Sequence, residues 1–109
     1  HRNMIRRWVL SLHKIIQFCE DKQIQLILVT TPTWHSYYEH LDKHQLDQLL
    51  STAKELDNNH ENVFYFNFLK DDRFNDNDFK DGDHLSEDGA EKFTKILKDS
   101  IKHKLDIEL

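Results

Sequence analysis

The sequence predicts an α/β chain with three helices and a small parallel sheet. Three observations carry this. Apolar residues recur at helical spacing in three separate stretches. Two short apolar runs without alternation, Leu26 to Val29 and Val63 to Phe66, have the pattern of strands buried on both faces. Only two Gly and one Pro in 109 residues favour long regular elements over tight turns.

The first helix is expected over residues 3–20. Ile5, Trp8, Val9, Leu12, Ile15, Ile16 and Cys19 form its apolar stripe. Glu20-Asp21-Lys22-Gln23 interrupts the pattern before the first strand. Cys19 falls on the stripe, as a buried and inert thiol, and a single cysteine excludes an internal disulfide. Pro32 stops the strand, and Thr31 to Leu41 (TPTWHSYYEHL) is irregular and rich in aromatics. Asp42 with Gln45 forms a capping box for the second helix, whose stripe is Leu46, Leu49, Leu50, Ala53 and Leu56. Asn58-Asn59 ends it. The order strand, helix, strand predicts a parallel pair with a right-handed crossover.

Residues 67–83 read as a long loop with six Asp, pinned by Phe68, Leu69, Phe74 and Phe79. Ser86 caps the third helix, with Glu87 and Asp88 in the first turn, where the helix dipole favours negative charge. Its stripe is Ala90, Phe93, Ile96, Leu97 and Ile101. Lys92, Lys95, Lys98, Lys102 and Lys104 are expected largely on the solvated side.

Hydrophobic residues make up 38% and charged residues 32% of the chain, which indicates a soluble globular domain, residues 1–109, with one modest core. A net charge of −5 argues against a nucleic-acid partner. No signal peptide or membrane-spanning run is visible, which leaves cytoplasmic and membrane-anchored locations open for a longer form. No cofactor motif is present. Both irregular segments, 31–41 and 67–86, leave the carboxyl ends of the strands, the rim where ligands bind in open α/β sheets.

The chemistry concentrates in Asp81-Gly82-Asp83-His84. An Asp three residues before a His can share one turn with it, accept its ring N–H and stabilise the imidazolium, as the orienter and base of an acyl-transfer site do. Trp34, Tyr37 and Tyr38 form a candidate substrate rim or an aromatic lid over the sheet end. Of the five Ser, only Ser36 lies on this rim, and none sits on a strand-to-helix elbow. Phe79 at a ligand position and Asp88 in place of the bidentate Glu argue against an EF-hand. Asp76, Asp78, Asp83 and His84 could at most hold a divalent cation adventitiously. No metal is assigned.

These residues resemble the last block of the SGNH/GDSL hydrolases, Asp-Gly-x-His before an apolar residue and a helix. The similarity extends over Asp72-Arg73-Phe74, Asp78-Phe79, Leu85-Ser86, Gly89-Ala90 and Lys92-Phe93, and over the strand and loop from Ile24 to Pro32. The resemblance implies part of a three-layer α/β/α fold of the flavodoxin-like, SGNH type. It implies an esterase or acyltransferase acting on a small acylated substrate, with His84 as general base and Asp81 as its orienter. The family's Gly-Asp-Ser nucleophile block and its Gly and Asn oxyanion donors have no match in this chain. The resemblance thus points to the C-terminal region of a longer protein, inactive without its N-terminal part. The alternative is a non-enzymatic α/β module that binds a partner through the 31–41 loop or a sheet edge. With only two strands, each strand is expected to keep an open edge, met by a homodimer or by a helix laid over it.

Overall fold

The computed structural model describes the backbone of residues 2–109 and the side chains of residues 6–109. The chain is mixed α/β, as predicted, with more elements than the three helices and two strands expected. These are α1 (Arg2–Asp21), β1 (Leu26–Thr30), α2 (His35–Tyr38), α3 (Lys43–Asn59), β2 (Val63–Asn67), a 3₁₀ turn (Asp76–Asp78), β3 (Phe79–Asp81), β4 (His84–Leu85) and α4 (Glu87–Leu105). They fall into two compact units. One comprises the residues up to Thr31 with Leu41–Phe68, and the other Pro32–His40 with Leu69–Leu109. No helix among the described residues is long and apolar enough to cross a membrane.

In the first unit β1 pairs with β2 in parallel, Leu26 opposite Val63 through Thr30 opposite Asn67. Alternation then puts Leu26, Leu28 and Val63 on one face. Leu12 and Ile16 of α1 and Leu56 of α3 pack on that face in one core cluster, with Trp8 against it. Asp42 caps α3 as predicted, accepting the Gln45 N–H at 3.0 Å.

Two expectations need correction. All five residues of β1 are only half-buried, so the strand is not fully buried on either face. Both long helices of this unit contribute to the core on one face, and Ile27, Val29, Phe64 and Phe66 on the other remain half-buried. Ile15 is 47% exposed although the spacing put it on the α1 stripe. It adjoins Ile16 along the chain, and a 100° step per residue carries it off the narrow seam formed by Leu12, Ile16 and Cys19. Ile5 lies outside the residues whose side chains are described.

Helix α1 ends where Gln23 takes a left-handed backbone, φ 59°. The Gln23 N–H reaches the Glu20 carbonyl at 3.1 Å and the Ile24 N–H the Cys19 carbonyl at 2.7 Å. This is the position where glycine is favoured, because a Cβ crowds the following carbonyl. Gln23→Gly is therefore expected to stabilise the chain by about 1 kcal/mol, read as a rise in thermal midpoint of several degrees. A fall in the midpoint would show that the Gln23 side chain contributes more than the backbone relief.

In the second unit the acidic stretch is no open loop. It folds into the 3₁₀ turn and an antiparallel hairpin, β3 with β4, Phe79 opposite Leu85 and Asp81 opposite His84. Ser86 caps α4 as predicted, accepting the Gly89 N–H at 3.1 Å. Of the α4 stripe, Phe93, Ile96, Leu97 and Ile101 are half-buried, whereas Ala90 is exposed. Gly89 instead is the buried residue at the start of α4.

Candidate functional site

The hairpin turn places the expected pair in contact. Asp81 Oδ1 lies 2.7 Å from His84 Nδ1. The same oxygen accepts the backbone N–H of His84 at 3.1 Å and that of Asp83 at 3.3 Å. The carboxylate thus closes an Asx-type turn with one oxygen and receives the ring with it. Asp83 adds a second carboxylate, its Oδ1 3.0 Å from the same ring nitrogen. With Nδ1 donating to Asp81, Nε2 carries the lone pair and is the nitrogen able to take a proton from a substrate or nucleophile.

Both groups are open to water, His84 with 67% and Asp81 with 56% of the side chain exposed. The hydrogen bond from His84, first of all, holds the Asp81 carboxyl below its ordinary value. The bond to Asp81 and the charges of Asp81 and Asp83 raise the His84 imidazole above its ordinary value.

The aromatic segment meets this turn. The Trp34 N–H donates to the Gly82 carbonyl at 2.9 Å, and the Trp34 indole donates to Asp76 Oδ1 at 2.7 Å. Tyr37 packs on Gly82 so closely that a Cβ there would lie 2.8 Å from Tyr37 Cδ2. No described glycine has a positive φ. Gly82 is required by this approach and not by a left-handed turn. Of the three predicted rim residues, Trp34 and Tyr37 therefore touch the turn that carries His84. Tyr38 instead lies under the Lys70 ammonium, 5.0 Å from ring centroid to nitrogen. His40 bonds the Ser36 carbonyl through Nδ1.

Behind the hairpin sits an ion pair. Asp78 is 5% exposed and accepts Lys92 Nζ at 2.6 Å and the Asn75 N–H at 2.8 Å. Lys92, chiefly, holds the Asp78 carboxyl below its ordinary value. Lys92 also donates to the Arg73 carbonyl at 3.0 Å and lies over the Phe74 ring, which contacts Phe79 and Phe93. Lys92 is thus not on the solvated side, as its helical spacing suggested, because a buried carboxylate draws it inward.

With Asp78 engaged by Lys92 and Asp76 by Trp34, the four residues weighed for a cation do not act together. Asp81, Asp83 and His84 are the group whose ligand atoms lie within 4.8 Å of one another, all exposed. The serine hydroxyls of Ser86 and Ser100 are bonded to backbone carbonyls. Among the described residues no serine hydroxyl bonds the His84 ring. In the first unit a cleft of about 350 Å³ opens at the amino ends of the strands, lined by Gln23, Ile24, His60 and Asn62 among others. None of the predicted site residues lines it.

One family model, described as a protein of unknown function (DUF1574), matches residues 6–100. The chain belongs to the DUF1574 family. No curated protein and no solved structure matches it. The match spans every residue of the site, from Trp34 through the hairpin to Lys92.

In this DUF1574 chain, sequence reasoning missed three contacts. The Asp83–His84 contact joins chain neighbours, and the signal was a second Asp inside the same turn. The Asp78–Lys92 and Trp34–Asp76 contacts are separated by 14 and 42 residues, with no local signal to announce them.

The pH dependence of the hairpin follows from the two shifts. His84 is raised above 6.5, so its stabilisation is complete below 6.5 and is lost as pH rises through the folded value. Asp81 is lowered below 3.8, so its stabilisation is present above 3.8 and is lost as pH falls through the folded value. Both contributions coexist between 3.8 and 6.5. Asp81→Asn is expected to return the His84 midpoint toward 6.5 in an NMR titration, and Asp83→Asn to lower it less. An unchanged midpoint in Asp81→Asn would separate the two groups in solution.

Proposed function

We propose that this chain supplies the His–Asp half of a Ser-His-Asp site in an SGNH/GDSL-type esterase or acyltransferase, with nucleophile and oxyanion donors contributed from outside these 109 residues. The observation that carries the reading is the 2.7 Å bond between Asp81 and His84 Nδ1. It orients the imidazole so that Nε2 takes the proton of an attacking serine hydroxyl and later returns it to the leaving alkoxide. Asp81 balances the imidazolium formed between these steps. Trp34 and Tyr37, seated on Gly82, supply an apolar wall for an acyl or alkyl group.

The open surroundings of His84 fit a half-site whose remaining wall comes from elsewhere in the longer protein. Its partner is accordingly the N-terminal part of that protein. The test compares aryl-ester hydrolysis by the 109-residue chain and by the full-length protein, each with His84→Ala beside it. The expected result is background turnover by the chain and His84-dependent turnover by the full-length protein. Turnover by the chain alone that vanishes with His84→Ala would overturn the division of the site and bring Ser36 forward as nucleophile. Full-length turnover indifferent to His84 would overturn the reading itself.

A further inference from the structure

Helix α1 has two unlike faces. Its inner stripe of Leu12, Ile16 and Cys19 is buried. Its outer face is apolar and basic at once. Leu10 is 58% and Phe18 59% exposed, with Ile15 exposed on their flank. Arg7 and Lys14, on the same side, are exposed as well. At about 100° per residue, Lys14 and Phe18 stand roughly 160° round the helix from Ile16, and Arg7 opposite it. Leu10 and Phe18 are about 12 Å apart along the axis, with Lys14 midway between them. Of the seven large apolar residues exposed among the described residues, these three are the only ones that share a helix.

The charge on this helix runs against that of the chain. Every Asp and Glu of the sequence follows Cys19, whereas four of the fifteen Lys and Arg precede it. Arg6, Arg7 and Lys14 make no ion pair among the described residues. Asp21 is the one carboxylate on the outer side of α1, and Gln17 Nε2 donates to it at 2.9 Å. A longer α/β protein does not cover this face by widening its sheet. New strands join at β1, because the Tyr65 N–H of β2 already donates to Asp57 Oδ2 of α3 at 2.7 Å. This corrects the expectation that both strands keep an open edge. A sheet widened at β1 extends beneath the inner stripe of α1, away from Leu10 and Phe18.

We propose that the outer face of α1 docks on an anionic lipid bilayer. The helix lies in the plane of the interface and does not cross it. Leu10, Ile15 and Phe18 enter the acyl boundary, while Arg7 and Lys14 meet the headgroup phosphates. Charge complementarity sets the sign of the partner. Shape selects a bilayer over an acidic protein. A protein hot spot seats its apolar anchors in a well-packed pocket. Here the apolar side chains stand singly among cations on a convex helix. A fluid surface accepts that spacing, because lipids rearrange around each side chain. This inference does not depend on the hydrolase reading.

The test is co-sedimentation of the 109-residue chain with vesicles of equal parts phosphatidylserine and phosphatidylcholine, and with vesicles of phosphatidylcholine alone. Binding is expected to the anionic vesicles only, weakening as salt rises. Arg7→Gln with Lys14→Gln is expected to weaken it about 25-fold, close to fivefold for each cation near an anionic surface. Lys98→Gln with Lys104→Gln changes the net charge equally on α4 and is expected to leave binding nearly unchanged. Leu10→Ser with Phe18→Ser keeps the charge and is expected to weaken binding about tenfold or more. All six side chains are exposed, and circular dichroism checks that the variants keep the fold. Should a variant unfold, the contrast between the two vesicles still decides. In the full-length protein, Lys14 is expected to react with an amine-acylating reagent and to be shielded when anionic vesicles are added. A chain that ignores the vesicles, or loses binding equally with the α1 and α4 pairs, overturns the proposal. So does a full-length protein whose Lys14 is shielded before vesicles are added, because the rest of the protein then covers the face. Binding to poly-L-glutamate through Arg7 and Lys14 without binding to vesicles would make the face a dock for an acidic protein, and overturns it too.

Discussion

Gly89→Ala is expected to unfold the hairpin and the first turns of α4, at a cost of about 3 kcal/mol or more. An alanine Cβ at this position would lie 1.9 Å from the Asp78 carbonyl oxygen and 2.8 Å from its carbon. Both are backbone atoms, so no flexible side chain can give way. That carbonyl accepts the Ser86 N–H at 2.8 Å. The Asp78 carboxylate holds the Asn75 N–H and Lys92. Moving Asp78 aside would loosen all three bonds and leave a buried carboxylate poorly paired, which is among the costlier defects a fold can carry. Thermal melts by circular dichroism, with proton NMR of the His84 ring as a local probe, would read the loss. Ala90→Gly, one residue on and exposed, is the control, and is expected to cost only about 1 kcal/mol. A Gly89→Ala protein that melts with the wild type would mean that α4 can shift away from Asp78 at little cost.

On the proposed hydrolase reading, His84→Ala in the full-length protein is expected to reduce kcat/KM for ester substrates by about 10²–10⁴, the range spanned by positioned general bases. Asp81→Asn should reduce it less, since the ring remains while its orientation and countercharge are lost. The two variants differ in a way that a structural defect would not reproduce. On that reading the base must be neutral to act, so activity is expected to rise with pH through the raised His84 value. Asp81→Asn removes the main cause of that elevation and is expected to move the acid limb of the profile to lower pH while the plateau falls. A plateau that falls with an unmoved limb would assign Asp81 to holding the turn alone. Unchanged kcat/KM in His84→Ala would remove His84 from the chemistry.

Local features were the legible ones. Leu26 to Val29 and Val63 to Phe66 announced strands because short apolar runs beside polar breaks leave few alternatives, and Asp42 and Ser86 announced helix starts because a cap acts within three residues. Asp81 and His84 were readable for the same reason, since three residues of chain bring them together. What could not be read depended on distant partners. The Phe79–Asp81 and His84–Leu85 strands are too short to show alternation, and their turn lacks the positive-φ glycine that marks common hairpins. Lys92 followed the pattern of a solvated lysine until Asp78 drew it in. Burial was overestimated for β1 because an apolar run records what a strand could bury, and not how completely its neighbours cover it.

The interleaving of the two units has a consequence for how the chain can be built and cut. The second unit borrows Pro32–His40 from between two stretches of the first. Its hairpin turn is bonded to Trp34, which the ribosome delivers long before Gly82. The first unit can finish once Phe68 has emerged. The aromatic segment must wait in an unfinished state until the acidic stretch arrives. No single proteolytic nick releases both units whole, and a fragment beginning at Leu69 would carry His84 on a turn stripped of its Trp34 and Tyr37 neighbours. Dissection of this protein by truncation would therefore remove the aromatic neighbours of the turn before it removed His84.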